Sequence, residues 1–163
     1  MYDIQLFGRI EVRTRGIQLS GNDFGGERPR HLLALLALRG ERSAVELADT
    51  LGVAPATVKD DLRVLRERLE PGARERDSVV VTHRGRYHLA PERVRVDVAT
   101  FDALVRAAAG RPAERAARPL SAAAFLASRP LLEEETAPWA AEARAEYRAK
   151  LVMAHLEAAA QPI

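Results

Sequence analysis

Residues 43–69, SAVELADTLGVAPATVKDDLRVLRERL, constrain the fold more than any other stretch of the chain. Ala48, Gly52 and Val58 stand where two helices would cross, the backbone would turn sharply and a branched side chain would close the angle. This spacing is typical of a helix-turn-helix, which we therefore predict here. An ordinary helical hairpin in a small α-helical domain is the alternative interpretation.

Capping residues and periodicity predict the ends and faces of these two helices. Ser43 and Glu46 have the spacing of a capping box at the start of the first helix. The second helix is predicted to begin at Pro55, after Ala54, which has no hydroxyl to cap it. Its apolar residues recur at helical spacing and predict one buried stripe made of Val58, Leu62, Leu65 and Leu69.

The segments on either side of this stretch predict small sheets and a core helix. Alternating apolar and polar residues over 4–19 predict a short antiparallel meander. Leucines over 28–39 predict a largely buried helix that ends at Gly40. Residues 79–89, VVVTHRGRYHL, predict a β-hairpin with Gly85 at its tip. A basic hairpin after a helix-turn-helix is typical of a wing, and a solvated hairpin tip is the alternative.

From about residue 96 the chain becomes alanine-rich, and prolines 112, 119, 130 and 138 mark breaks or first turns. Helices are predicted over 98–109, 112–127 and 138–160. Small alanine faces let helices pack closely, as helical repeats require. The predicted fold is mainly α with small β-sheets: a winged helix-turn-helix over 1–95, followed by an α-helical, tetratricopeptide-like region over 96–163.

Composition excludes several classes of protein. The chain has no cysteine, which excludes disulfides and suits a reducing cytoplasm. No apolar run approaches the roughly 20 residues of a membrane span. The four histidines, among them His31, which is typical of a cap or the surface, lack metal-ligand spacing. Glu133, Glu134 and Glu135 are typical of a solvated loop. We therefore expect a cytoplasmic protein that is not an enzyme and holds no metal or cofactor.

The order of these segments resembles that of the Streptomyces antibiotic regulatory proteins (SARPs). Residues 6–12, LFGRIEV, resemble the family's opening strand pair, and LRERL at 65–69 resembles the end of its recognition helix. THRGRYHL at 82–89 is similar to its wing. The resemblance implies a transcription regulator, in which a response-regulator-type winged helix precedes a bacterial transcriptional activator domain. It also implies RNA polymerase as a partner and homodimers on repeated half-sites. The helical region ends at Ile163, so we expect a short or truncated activator domain.

The hypothesis of DNA binding assigns roles to individual residues. If the helix from Pro55 enters the major groove, its outward side chains meet base edges. The candidate base readers are Ala56, Thr57, Lys59, Asp60 and Arg63. Asp60 would accept a hydrogen bond from a cytosine amino group or repel phosphates. The candidate phosphate contacts are Arg28 and Arg30 in the first helix and His83, Arg84 and Arg86 in the wing.

Double-stranded DNA is thus the predicted ligand, and the helical domain is expected to contact RNA polymerase or a second protomer. The alternative is a protein-interaction module whose winged helix binds DNA weakly or not at all. The adjacent carboxylates Asp60 and Asp61 and the missing cap at Ala54 favour that alternative.

Overall fold

The structure is a computed structural model that describes residues 1–162, and it is mainly helical with small β-sheets. The chain forms two compact units. The first unit comprises Met1–Ile4 and Ile10–Arg95, and the second comprises Gln5–Arg9 and the chain from Val96 onward. Among the described residues, no helix combines the length and the apolar character that crossing a membrane requires.

Four short strands form the first sheet: β1 (Tyr2–Gln5), β2 (Glu11–Thr14), β3 (Ile17–Ser20) and β7 (Val94–Val96). They are ordered β3-β2-β1-β7. The β2–β3 turn consists of Arg15 and Gly16, both with positive φ, which matches the twist of a tight hairpin. The meander predicted over 4–19 therefore exists, but strand β7 was not predicted, because three residues are too few to show a period.

The remaining elements of the first unit include the predicted helix-turn-helix, which consists of α2 and α3. They are α1 (Glu27–Arg39), β4 (Arg42–Ser43), α2 (Ala44–Leu51), α3 (Pro55–Leu69), β5 (Val80–His83) and β6 (Arg86–Leu89). Short 3-10 turns occupy Gly21–Phe24 and Glu75–Asp77. The second sheet has the order β4-β6-β5. Strand β4 has only two residues, and it joins the hairpin β5–β6 to the segment in front of α2.

The ends of α2 and α3 follow the capping residues. The hydroxyl of Ser43 accepts from the N–H of Glu46, and the Glu46 carboxylate accepts from the N–H of Ser43, which completes the predicted capping box. Gly52 ends α2 with a φ of +69°, a left-handed conformation that glycine adopts without a steric cost. Ala54 provides no side-chain cap for α3, as predicted.

The core of the first unit forms between α1, α3 and the 3-10 turn before α1. All four members of the predicted α3 stripe are buried: Val58, Leu62, Leu65 and Leu69. Phe24 and four leucines of α1, Leu32, Leu33, Leu35 and Leu36, are buried with them. His31 is buried as well, 3.8 Å from the carboxylate of Glu27, so the expectation of a surface histidine was wrong. The reason is that α1 is enclosed around most of its circumference.

The second unit contains three helices, α4 (Asp97–Ala108), α5 (Ala113–Leu126) and α6 (Pro138–Ala160). Their bounds lie within one residue of the predicted ones. Pro119 lies inside α5 and does not end it, because the flanking residues are strong helix formers that continue the helix past one missing hydrogen bond. Small buried side chains, such as Ala116 and Ala123 of α5, let these helices approach closely.

Residues 5–9 belong to the second unit, although they lie inside the predicted first domain of residues 1–95. The Asp97 carboxylate accepts from the N–H groups of Leu6 and Phe7 at 2.9 to 3.0 Å. Burial raises the pKa of Asp97, against the effect of these hydrogen bonds. The ring of Phe7 packs 5.4 Å from Phe101 and 6.1 Å from Tyr147. Predictions from neighbouring residues could not detect these contacts, because Asp97 lies about 90 residues from Leu6 and Phe7 in the sequence.

The loop before α6 is organised by one arginine. Arg144 donates to the main-chain oxygens of Leu131, Leu132 and Glu135. Leu132 is fully buried and has a φ of +51°. Glu135 is buried, and Glu133 pairs with Arg129. The three consecutive glutamates are therefore not a uniformly solvated run, because the loop folds over the start of α6.

Candidate nucleic-acid interface

The side of α3 opposite its buried stripe carries the predicted base readers. Ala56, Lys59, Asp60 and Arg63 are exposed, and Thr57 is half-buried. The helix therefore separates an apolar face, which packs in the core, from a polar face that is open to a ligand. This arrangement follows directly from the 3.6-residue period of the sequence.

Two residues on this face contact each other. The Nη1 atom of Arg63 donates to Oδ1 of Asp60 at 3.2 Å, and the two side chains are three residues apart. Lys59 differs from them, because it makes no ion pair or hydrogen bond within residues 1–162. Its ammonium group is thus available for a phosphate or a base edge.

The neighbouring carboxylate Asp61 has a different role from Asp60. Asp61 is buried, and its Oδ2 lies 2.7 Å from Nε of Arg28. This ion pair joins α1 to α3 across 33 residues of sequence. Of the two adjacent carboxylates, only Asp60 therefore lies on the exposed face. Arg28, a predicted phosphate contact, has Asp61 as an internal partner. Arg30, also in α1, is half-buried and donates to the main-chain oxygen of Gly21 at 3.4 Å.

The β5–β6 hairpin presents one cation at its tip. Arg84 and Gly85 form the turn, with φ values of +52° and +74°, and His83 pairs with Arg86 at its base. Asparagine is the usual residue at the position of Arg84, since it tolerates positive φ better than a long side chain. His83 and Arg84 are both exposed. Within residues 1–162 Arg84 makes no hydrogen bond or ion pair, so its guanidinium is free to meet a phosphate.

Arg86 is held by two carboxylates. Its Nη1 lies 3.0 Å from Glu46 and its Nε lies 3.4 Å from Glu41. The pKa of Glu46 is lowered mainly by the hydrogen bonds from Ser43 and further by Arg86. Arg86 thus connects the hairpin to the start of α2, a role that was not predicted for it.

Arg66 was not among the predicted site residues, although it connects α3 to the hairpin. Its guanidinium donates to the main-chain oxygen of Val80 and to the hydroxyl of Thr82, and it lies 3.2 Å from Glu75. It also lies 5.9 Å from the centre of the buried Tyr87 ring. Its position on α3, between the exposed face and the buried stripe, is the sequence signal that would have suggested such a contact.

No family model and no curated protein matches the chain. Among solved structures, the chain is similar to Mycobacterium tuberculosis EmbR in complex with a low affinity phosphopeptide, with a TM-score of 0.70 and 25% sequence identity. The similarity covers 94% of this chain and 43% of the EmbR chain. The protein therefore spans less than half the length of EmbR, a SARP-family regulator, and it has a SARP-like fold.

Proposed function

We propose that the protein is a transcriptional regulator of the SARP type that binds double-stranded DNA through α3. In this proposal α3 lies in the major groove, and the β5–β6 hairpin acts as the wing of a winged helix beside the phosphate backbone. The helical second unit, a short tetratricopeptide-like array, would contact RNA polymerase or a second protomer. The protein would act in the cytoplasm by binding, without a metal or cofactor. The similarity to EmbR supports this class of function.

The observation that carries the proposal is the division of α3 into a buried and an exposed face. At about 1.5 Å per residue, its 15 residues extend over about 22 Å. A major groove about 12 Å wide admits a helix of this kind. The exposed face offers Arg63 to the bases and Lys59 to a base edge or a phosphate, and the hairpin offers Arg84 to the backbone.

The internal ion pairs limit how many cations remain for phosphates. Arg28 and Arg86 have carboxylate partners, so their contribution to phosphate binding would be small. Because binding to DNA depends strongly on the number of neutralised phosphates, we expect modest affinity from one protomer. Two protomers on repeated half-sites would supply the remaining affinity through effective concentration.

Replacing Lys59 or Arg84 with alanine should weaken binding to every DNA sequence. Each change removes one phosphate or base contact, which should lower the affinity about fivefold to tenfold and reduce the salt slope by about one. Fluorescence anisotropy with labelled duplexes, at several salt concentrations, measures both quantities. Arg118, an exposed arginine on α5, provides the matched control, and Arg118→Ala should leave both values unchanged. An equal loss in Arg118→Ala would mean that binding reflects overall charge and does not involve α3.

The second candidate function is a protein-interaction module with little DNA binding. It is favoured by Asp60, Glu41 and Glu46, which neutralise arginines on the surface proposed to face DNA. Under this alternative the chain would capture RNA polymerase but show no salt-dependent DNA binding. The whole chain should be used for that test, since a fragment beginning at Val96 lacks Leu6 and Phe7, whose N–H groups donate to Asp97.

A further inference from the structure

Asp60 and Arg63 lie together on the exposed face of α3. The side chain of Arg63 is 77% exposed and that of Asp60 is 70% exposed, with 3.2 Å between Nη1 and Oδ1. Residues three apart stand on the same side of a helix, so both side chains point towards the same ligand. One turn before Asp60, Ala56 presents only a methyl group, which leaves space beside the carboxylate.

This pair offers a hydrogen-bond donor and a hydrogen-bond acceptor side by side. A guanidinium has five N–H groups, and in the described contact only one nitrogen of Arg63 donates to Asp60. The remaining donors can reach a second acceptor without breaking the pair. Asp60 likewise keeps lone pairs for a donor other than Arg63. The contact therefore places the two groups side by side and leaves each of them able to bind a base.

The major-groove edge of a G·C base pair has the complementary pattern. Guanine presents the acceptors O6 and N7, and cytosine presents the N4 amino donor beside them. An A·T pair alternates its acceptors with a single donor and ends in the thymine methyl group. On A·T, either Arg63 would lose its second acceptor or Asp60 would face thymine O4.

We propose that Asp60 and Arg63 together read one G·C base pair. Arg63 donates to guanine O6 and N7, and Asp60 accepts from cytosine N4. Where no donor faces it, the carboxylate of Asp60 repels the phosphates and the base acceptors, which weakens binding to incorrect sites. Asp60 therefore increases discrimination between G·C and other base pairs, and it lowers the affinity for DNA of any sequence. This inference rests on the proposed function, because it requires α3 to enter the major groove.

The test compares base preference among three variants of the whole protein. Preferred sites are selected from randomised duplex DNA for the wild type, Asp60→Asn, Arg63→Ala and the control Glu67→Gln. Glu67 is a further exposed carboxylate one turn after Arg63, so its variant removes the same charge from α3. Affinities for the selected site, for the site with G·C replaced by A·T, and for mixed-sequence DNA are then measured against salt.

The wild type and Glu67→Gln should prefer G·C at one position by about tenfold. Asp60→Asn should weaken this preference, because the amide tolerates base acceptors that the carboxylate repels, while Arg63 still donates to guanine. The same variant should bind mixed-sequence DNA a few-fold more tightly, because one repulsive charge is removed. Arg63→Ala should lose both the preference and general affinity. All three side chains are exposed, so circular dichroism should show an unchanged fold.

An unchanged G·C preference in Asp60→Asn would overturn the inference, as would an equal loss of preference in Glu67→Gln. In either case salt-dependent binding would leave the proposed function in place. If the affinity of the wild type for DNA did not change with salt concentration, the proposed function would be overturned. The inference would then fail with it.

Discussion

Replacing Gly25 with alanine should destabilise the first unit by about 2–4 kcal/mol, because two separate costs add. Gly25 ends the 3-10 turn before α1 with a φ of +99°, where a side chain is strained. A Cβ atom there would also overlap Cγ1 of Val64 on α3. Hydrogen exchange of the α1 and α3 amides should report the loss as lower protection.

Two further variants separate the costs. Gly52→Ala has a similar φ of +69° but no atom within 4 Å of the added Cβ, so it should lose only about 1 kcal/mol. Adding Val64→Ala to Gly25→Ala should restore about half of the lost stability by removing the overlap. Equal stability of Gly25→Ala and Gly52→Ala would show that the 3-10 turn does not pack closely against Val64 of α3.

Replacing Arg144 with alanine should destabilise the second unit by about 3 kcal/mol, since hydrogen bonds to a charged donor are among the stronger ones. The oxygens of Leu131, Leu132 and Glu135 would lose their shared donor. Leu132, buried with a φ of +51°, would then lose one of the hydrogen bonds that hold its strained backbone. The fluorescence of Trp139, the single tryptophan, reports on this region during denaturation.

Arg148 provides the control, because it lies one turn further along α6 and is exposed. Arg148→Ala should change the free energy of unfolding by no more than about 0.5 kcal/mol. Arg144→Lys should recover less than half of the loss, since one ammonium cannot span three oxygens as a planar guanidinium does. Equal stability of the Arg144→Ala and Arg148→Ala variants would show that the loop does not depend on Arg144.

The parts of the fold that depend on neighbouring residues were predictable from the sequence. Ser43 and Glu46 cap α2, Gly52 makes the turn and the four-residue stripe of α3 is buried. Each of these features is determined within about one or two helical turns. The exposure of Lys59 and Arg63 followed from the same periodicity.

The parts that depend on distant residues were not predictable. The partner of Arg28 is 33 residues away, and Arg66 contacts the hairpin 14 and 16 residues further along. Arg86 meets carboxylates in front of and within α2. Sequence patterns identify such residues as charged but not as paired, so the predicted phosphate contacts included arginines with internal partners. Strands β4 and β7 were too short to show alternation.

The similarity to EmbR supports a SARP-like fold, and the proposed DNA binding has a specific physical requirement. Phosphate contacts must release counterions, whatever the base sequence. Lys59, Arg63 and Arg84 are the exposed cations that the proposed interface places near DNA.

The most direct measurement is the affinity of the intact protein for duplex DNA across about 50 to 200 mM salt. With about 0.9 counterions released per neutralised phosphate, and with Arg63 paired to Asp60 and directed at a base, Lys59 and Arg84 predict a log–log slope of about −2 per protomer. A slope that remains near −2 in Arg118→Ala but approaches −1 in Lys59→Ala would support binding through α3. A wild-type slope near zero would contradict it.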